Sequence, residues 1–144
     1  MLHGGRLNDV RTDVAKFCSS RKDDTRLADA VLAINKAHVA MLMEQKIIQW
    51  QDGAKILSAL QKQSGQKLDP NAEDVHMAVE EAVLAETSPE VGGNLHIAKS
   101  RNDQVTTAIR MALRNKLLSI MEQIVDMQVV LIETATKHTE TIII

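Results

Sequence analysis

The chain has 144 residues, 44% hydrophobic and 25% charged, with a formal net charge of −2; that is enough for a domain with its own core, and it excludes a general electrostatic attraction to nucleic acid or membrane surfaces. Aromatics make up 1% and prolines number two, which argues against sandwiches and barrels and for an all-α fold. The single cysteine, Cys18, excludes an internal disulfide and fits a reducing, cytoplasmic setting, and no signal peptide or 18-residue apolar span is present.

Residues 1–24 are polar and irregular, apart from a short helix expected over Asp9–Ser19. The run Phe17-Cys18-Ser19-Ser20-Arg21-Lys22-Asp23-Asp24 reads as a polar turn before a helix capped by Asp24 or Thr25. From there Leu27, Val31, Ile34, His38, Met41 and Leu42 recur at spacings of three and four, and strong helix formers continue to Trp50. His38, inside that apolar run, reads as a core or interface histidine. Asp52 is expected to cap a second helix carrying Ile56, Leu57 and Leu60 on one face, with Gly65 as its stop.

A third helix is expected behind Asn71 as N-cap, with Glu73 and Asp74 in the first turn and Val75, Val79, Ala82 and Val83 forming the apolar stripe. Ser88-Pro89 ends it, because the residue before proline avoids helical geometry. His76 and Glu80 are four apart and share a face. Two ligands are too few for a metal, so this reads as a solvated pair.

Gly92-Gly93 turns the chain toward its longest segment. From Ser100 to about Thr139 there is no proline or glycine, which makes about 40 residues, or about 60 Å of helix. Its middle, including Leu113, Leu117, Leu118, Ile120, Met121, Ile124 and Val125, is apolar on more than one face. A surface helix needs one stripe, so this one must be surrounded by other copies or by further sequence. The apolar ending Thr141-Ile142-Ile143-Ile144 reads as a cut just past a long helix. The expected organisation is an N-terminal helical domain over 1–99 and the truncated first part of a central helical-bundle domain over 100–144.

The stretch GGNLHIAKSRNDQV, Gly92 to Val105, carries the chemistry. Ser100 as N-cap and Asp103 three residues later form an acidic variant of the capping box. That accounts for the serine and the aspartate, and leaves Lys99, Arg101 and Asn102. Cations at a helix N-terminus oppose the dipole. Free N–H groups, an arginine fork and an asparagine amide would together hold a carboxylate or phosphate. Two readings stay open on the residues alone: an ordinary cap with solvated charges, or an anion site.

Gly4-Gly5-Arg6, Phe17 to Leu27, Glu73-Asp74-Val75-His76, Gly92-Gly93-Asn94-Leu95-His96 and Ser100-Arg101-Asn102-Asp103-Gln104, in this order and spacing, resemble the argininosuccinate lyase family of the fumarase/aspartase superfamily. The resemblance implies β-elimination of argininosuccinate to arginine and fumarate, in arginine biosynthesis, without cofactor or metal. It implies a largely helical homotetramer whose long helices pack in a bundle, with each active site drawn from three subunits. Carried over, Ser100, Arg101 and Asn102 bind the carboxylates of the fumarate portion, Asp74 and His76 line the site, and Ser20 and Asp24 contact the arginine portion. The sequence departs from the family at Ile97-Ala98-Lys99, where Thr-Gly-Arg is usual, at Cys18, where asparagine is common, and at Val31, where aspartate is common. The family's Gly-Ser-Ser loop, with its proposed base, and its Gly-Tyr-Thr-His segment are not in these 144 residues. The expectation is an N-terminal fragment that is inactive alone. Adenylosuccinate lyase, fumarase and aspartase would also hold a dicarboxylate here, and a crystallin-like assembly protein would keep the bundle helix without the chemistry.

Overall fold

The computed structural model describes residues 13, 14, 17, 19–66 and 72–142. The helix expected over Asp9–Ser19 therefore falls largely outside the described residues, as do Cys18 and Asn71. In chain order come α1 (Arg21–Asp24), a 3-10 turn (Thr25–Leu27), α2 (Ala28–Glu44), α3 (Trp50–Lys62), α4 (Val75–Glu86), α5 (Pro89–Gly92), a second 3-10 turn (Gly93–His96) and α6 (Arg101–Lys137). No strand occurs among the described residues, so the fold is all-α. The chain divides into two compact units, Met1–Ile109 and Arg110–Ile144.

The first expected helix does not reach Trp50. It stops at Glu44 because Lys46 takes a left-handed φ of 57°. The Ile47 N–H then donates to the Leu42 carbonyl at 2.9 Å and the Lys46 N–H to the Met43 carbonyl at 3.0 Å. This is a Schellman closure with lysine where glycine is usual. Trp50 instead opens α3, and the N-cap position is Gln49 rather than Asp52. The Gln49 carbonyl accepts from Asp52 and Gly53 N–H groups at 3.1 and 3.0 Å. Asp52 thus lies inside the first turn, where the helix dipole favours its charge.

The cap of α4 also differs from expectation. Asp74, not Asn71, stands at N-cap in extended geometry, and its carboxylate accepts the Met77 N–H at 2.6 Å. Ser88-Pro89 ends α4 as expected and also starts α5, with Pro89 in its first turn and the Ser88 hydroxyl accepting the Val91 N–H. Gly92 does not serve as a left-handed turn. Its φ is −64°, and a Cβ there would sit 2.7 Å from Thr87 Oγ1 and 3.3 Å from the Leu84 Cα. It is glycine because α5 lies against the end of α4.

In the first unit, Val31, Val39 and Leu42 of α2, Ile56 and Leu60 of α3, and Val75, Val79 and Val83 of α4 join Leu95 and Ala108 in one core, each at most 1% exposed. Full burial of a side chain of this kind is worth about 1.5–3 kcal/mol. The same cluster anchors the first turn of α4 through Val75 and the second turn of α6 through Ala108, so it fixes two helix N-termini in one frame. Val31, one of the departures noted in the sequence, is part of this core.

In the second unit, Arg110 to Lys137 of α6 bury no residue. Leu113, Leu117, Ile120, Ile124, Met127 and Leu131 repeat at spacings of four and three, the seam pattern of a helix bundle. Leu118, Met121, Val125 and Ile132 widen the apolar surface beyond that seam. Among the described residues no helix is long and apolar enough to cross a membrane.

Candidate functional site

The N-terminal segment and the start of α6 both converge on the first turns of α4. The N-terminal segment is tied down by backbone: Ser20 N–H donates to the Glu73 carbonyl at 3.2 Å and Ser19 Oγ donates to the same oxygen at 3.0 Å. Ser20 and Asp24 are joined by a hydroxyl-to-carboxylate hydrogen bond across the turn of α1. One residue beyond Glu73, Asp74 caps α4 and also lies 3.9 Å from Arg101 Nη1. His76 follows, 3% exposed, its Nδ1 buried without a hydrogen-bond partner.

Burial holds His76 neutral, lowering its pKa below the ordinary 6.5; Asp74 opposes that shift, Arg101 adds to it, and Glu80 and Asp24 oppose it. Asp24 is therefore close enough to His76 to be felt. Of the residues singled out from the sequence, Asp74 and Arg101 form an ion pair, Ser20 bonds to Asp24 and to the Glu73 carbonyl, and the charges of Asp24, Asp74 and Arg101 all act on His76. Ser100 and Asn102 flank Arg101 at the start of α6, both exposed. The Ser100 carbonyl closes the first turn by accepting the Gln104 N–H at 3.2 Å. The preceding N–H groups of that turn have no intrahelical acceptor.

The guanidinium of Arg101 is the unusual group. Its Nη1 lies 3.4 Å from Glu80 Oε1, yet neither Nη1 nor Nη2 makes a hydrogen bond, and both are buried. An ion pair at that distance neutralises charge but leaves directed N–H donors unused. Buried, unused donors cost about 1–3 kcal/mol or more each and call for a ligand or water.

Lys99 fits neither of the two readings left open by the sequence, a solvated charge or a ligand for an anion beside Arg101. Its Nζ donates to Asn35 Oδ1 inside the helical unit. Burial lowers its pKa from 10.5 to about 8, with Glu80 opposing and Arg101 adding to the shift. Gln104 Nε2 reaches the same Asn35 oxygen at 3.5 Å. Asn35 and Gln104, 1% and 2% exposed, thus lock the first turn of α6 onto α2. His38, half-buried as expected, donates from Nε2 to the Ile97 carbonyl at 2.9 Å. Next to it, Ala98 holds a left-handed φ of 54°, a conformation that glycine enters more readily than alanine.

Glu80, Asn35 and Gln104 were not identified from sequence as part of this arrangement. The i,i+4 spacing of His76 and Glu80 was visible, but the actual partners of Glu80 are Arg101 and His96, the latter with Nδ1 at 3.3 Å from Glu80 Oε1. Helical spacing reports neighbours on one helix; these come from two other segments. Among the described residues no group of three His, Cys, Asp or Glu side chains is placed to hold a metal ion.

A family model described as Lyase matches residues 9–144. The argininosuccinate lyase of Methanocaldococcus jannaschii is 37% identical over 100% of this chain and 31% of its own length. Those of Methanococcus vannielii and Methanosarcina barkeri are 36% and 38% identical over 99% of the chain and 31% and 30% of theirs. The chain thus spans about a third of the length of these relatives.

Proposed function

The chain belongs to this lyase family, and on that footing we propose that it supplies the substrate-binding segments of an argininosuccinate lyase, a carbon–nitrogen lyase of arginine biosynthesis that releases arginine and fumarate. The observation that carries the proposal is the buried Arg101 guanidinium, unpaired in hydrogen bonds at the first residue of a 37-residue helix. In this reading Ser100, Arg101 and Asn102 receive the carboxylates of the succinyl portion. Asp74 and His76 line the same pocket. The Ser20–Asp24 pair takes the guanidinium end of the arginine portion, where a carboxylate accepts paired N–H donors.

The elimination removes a proton from the methylene beside one carboxylate, forms the carbon–carbon double bond, and expels nitrogen with its electron pair, which then takes up a proton. Negative charge builds on that carboxylate as the proton leaves. A cation and unsatisfied N–H groups fixed there beforehand stabilise it. The proton-transfer groups are assigned elsewhere, since neither the Gly-Ser-Ser nor the Gly-Tyr-Thr-His run occurs in these residues. The working enzyme is a cytoplasmic homotetramer in which the four-three seam of α6 packs against other copies, and each site combines segments of several subunits.

Two measurements test this. The purified chain given argininosuccinate should release no fumarate by absorbance. In an assembled lyase that includes this chain, Arg101→Ala should lower kcat/KM by roughly 100-fold or more. Near-normal turnover in that variant would reduce Arg101 to a structural ion pair.

A further inference from the structure

We propose that Glu80 is the positioning residue for Arg101, and that it orients the guanidinium through one edge so that the other donors stay available to a carboxylate ligand. The inference rests, for its functional meaning, on the carboxylate-binding reading above; its geometric content stands on its own.

Glu80 is half-buried on α4, one turn beyond His76. Its Oε1 faces two segments at once: Arg101 Nη1 at 3.4 Å, from α6, and His96 Nδ1 at 3.3 Å, from the 3-10 turn. Asp74 is the other carboxylate near Nη1, but it is 3.9 Å away and its Oδ1 already accepts the Met77 N–H at 2.6 Å as the cap of α4. Asp74 is thus committed to its helix, and Glu80 is the nearer carboxylate to Arg101.

The mode of contact matters as much as its existence. An arginine and a carboxylate joined edge to edge satisfy each other through two parallel hydrogen bonds, and such a pair would compete with an incoming ligand. Here one carboxylate oxygen approaches one nitrogen, and Nη2 is left without any partner. The same oxygen also lies 3.3 Å from His96 Nδ1, so Arg101 does not have the carboxylate to itself. Glu80 therefore holds the guanidinium by charge at one nitrogen and leaves the N–H donors of the fork for an anionic ligand.

The test reads Arg101 directly, in the isotope-labelled full chain, by the rate of guanidinium rotation about the Nε–Cζ bond. Glu80→Ala should speed that rotation by roughly fivefold or more, as expected for loss of a charge contact at a partly buried site. Glu80→Gln, which keeps the shape and is the safer variant for folding, should also speed it, by a smaller factor. Unchanged rotation in Glu80→Gln overturns the proposal. Titration with succinate then separates the two ideas. Weaker succinate binding in both variants, with circular dichroism unchanged, supports positioning for a ligand. Wild-type affinity in both overturns it. Absence of succinate binding in the wild-type chain contradicts the carboxylate reading, while the rotation rates still decide whether Glu80 orients Arg101.

Discussion

The two units use the same apolar residues to opposite ends. In Met1–Ile109, Leu42, Ile56 and Leu60 have no exposed surface, whereas in Arg110–Ile144, Leu117, Ile124 and Leu131 expose 47–59% of theirs. The difference lies in what each helix has to pack against. α2, α3 and α4 are short, connected by tight closures, and share one core. α6 beyond Ile109 has a seam and nothing within its own unit to fill it. The first unit stores its stability inside one chain; the second presents surface whose stabilisation depends on burial against something else.

The sharpest way to break this contrast is a pair of truncations. Leu60→Ala should cost about 2–5 kcal/mol in urea unfolding of the single chain, the range for an interior leucine. Leu117→Ala should cost under about 0.5 kcal/mol in the same measurement. An equal loss at both sites would mean that the seam is already covered in the isolated chain. Gly92→Ala should destabilise the first unit by about 1–3 kcal/mol, because the new methyl meets the backbone of Leu84 and the side chain of Thr87.

Smaller effects sharpen the picture of the turns that frame the site. Ala98→Gly and Lys46→Gly should each raise stability by up to about 1 kcal/mol, since both positions hold left-handed backbone that glycine enters without a Cβ penalty. A loss in either variant would show that the side chain matters more than the backbone.

Acid and base should act through Lys99 and His76. Lys99 loses its proton near pH 8 in the folded chain and near 10.5 in the unfolded one. Between those values the unfolded chain binds the extra proton, so this contribution makes stability rise with pH. His76, lowered by burial, has the same sign at lower pH: stability falls as pH drops below 6.5 and the unfolded histidine takes up its proton first. Urea midpoints across pH for wild type and Lys99→Met check the basic limb, where the variant should lack the rise.

Much of this was legible in the sequence for physical reasons. The three-four spacing of Leu27, Val31 and Ile34, and of Val75, Val79 and Ala82, is a direct imprint of helical burial, and the long run after Ser100 had no residue able to stop a helix. Helix ends were less legible. Asp52 and Asn71 are good caps by residue type, but Gln49 and Asp74 hold those positions because backbone and packing decide which candidate is used. The break after Glu44 was hidden because lysine gives no signal of a left-handed residue. At the site, Arg101, Asp74 and His76 could be picked out by motif. Glu80 could not, since its partners lie 16 and 21 positions away on other segments and only the fold brings them together.

The central claim is that the capped start of α6 receives a carboxylate at Arg101. The most direct measurement is amide chemical-shift mapping of the labelled chain during succinate titration, with Arg101→Ala beside it. The account predicts saturable shifts concentrated at residues 74–80 and 100–104 that vanish in the variant. Shifts that survive Arg101→Ala, or that fall on other residues, would contradict it.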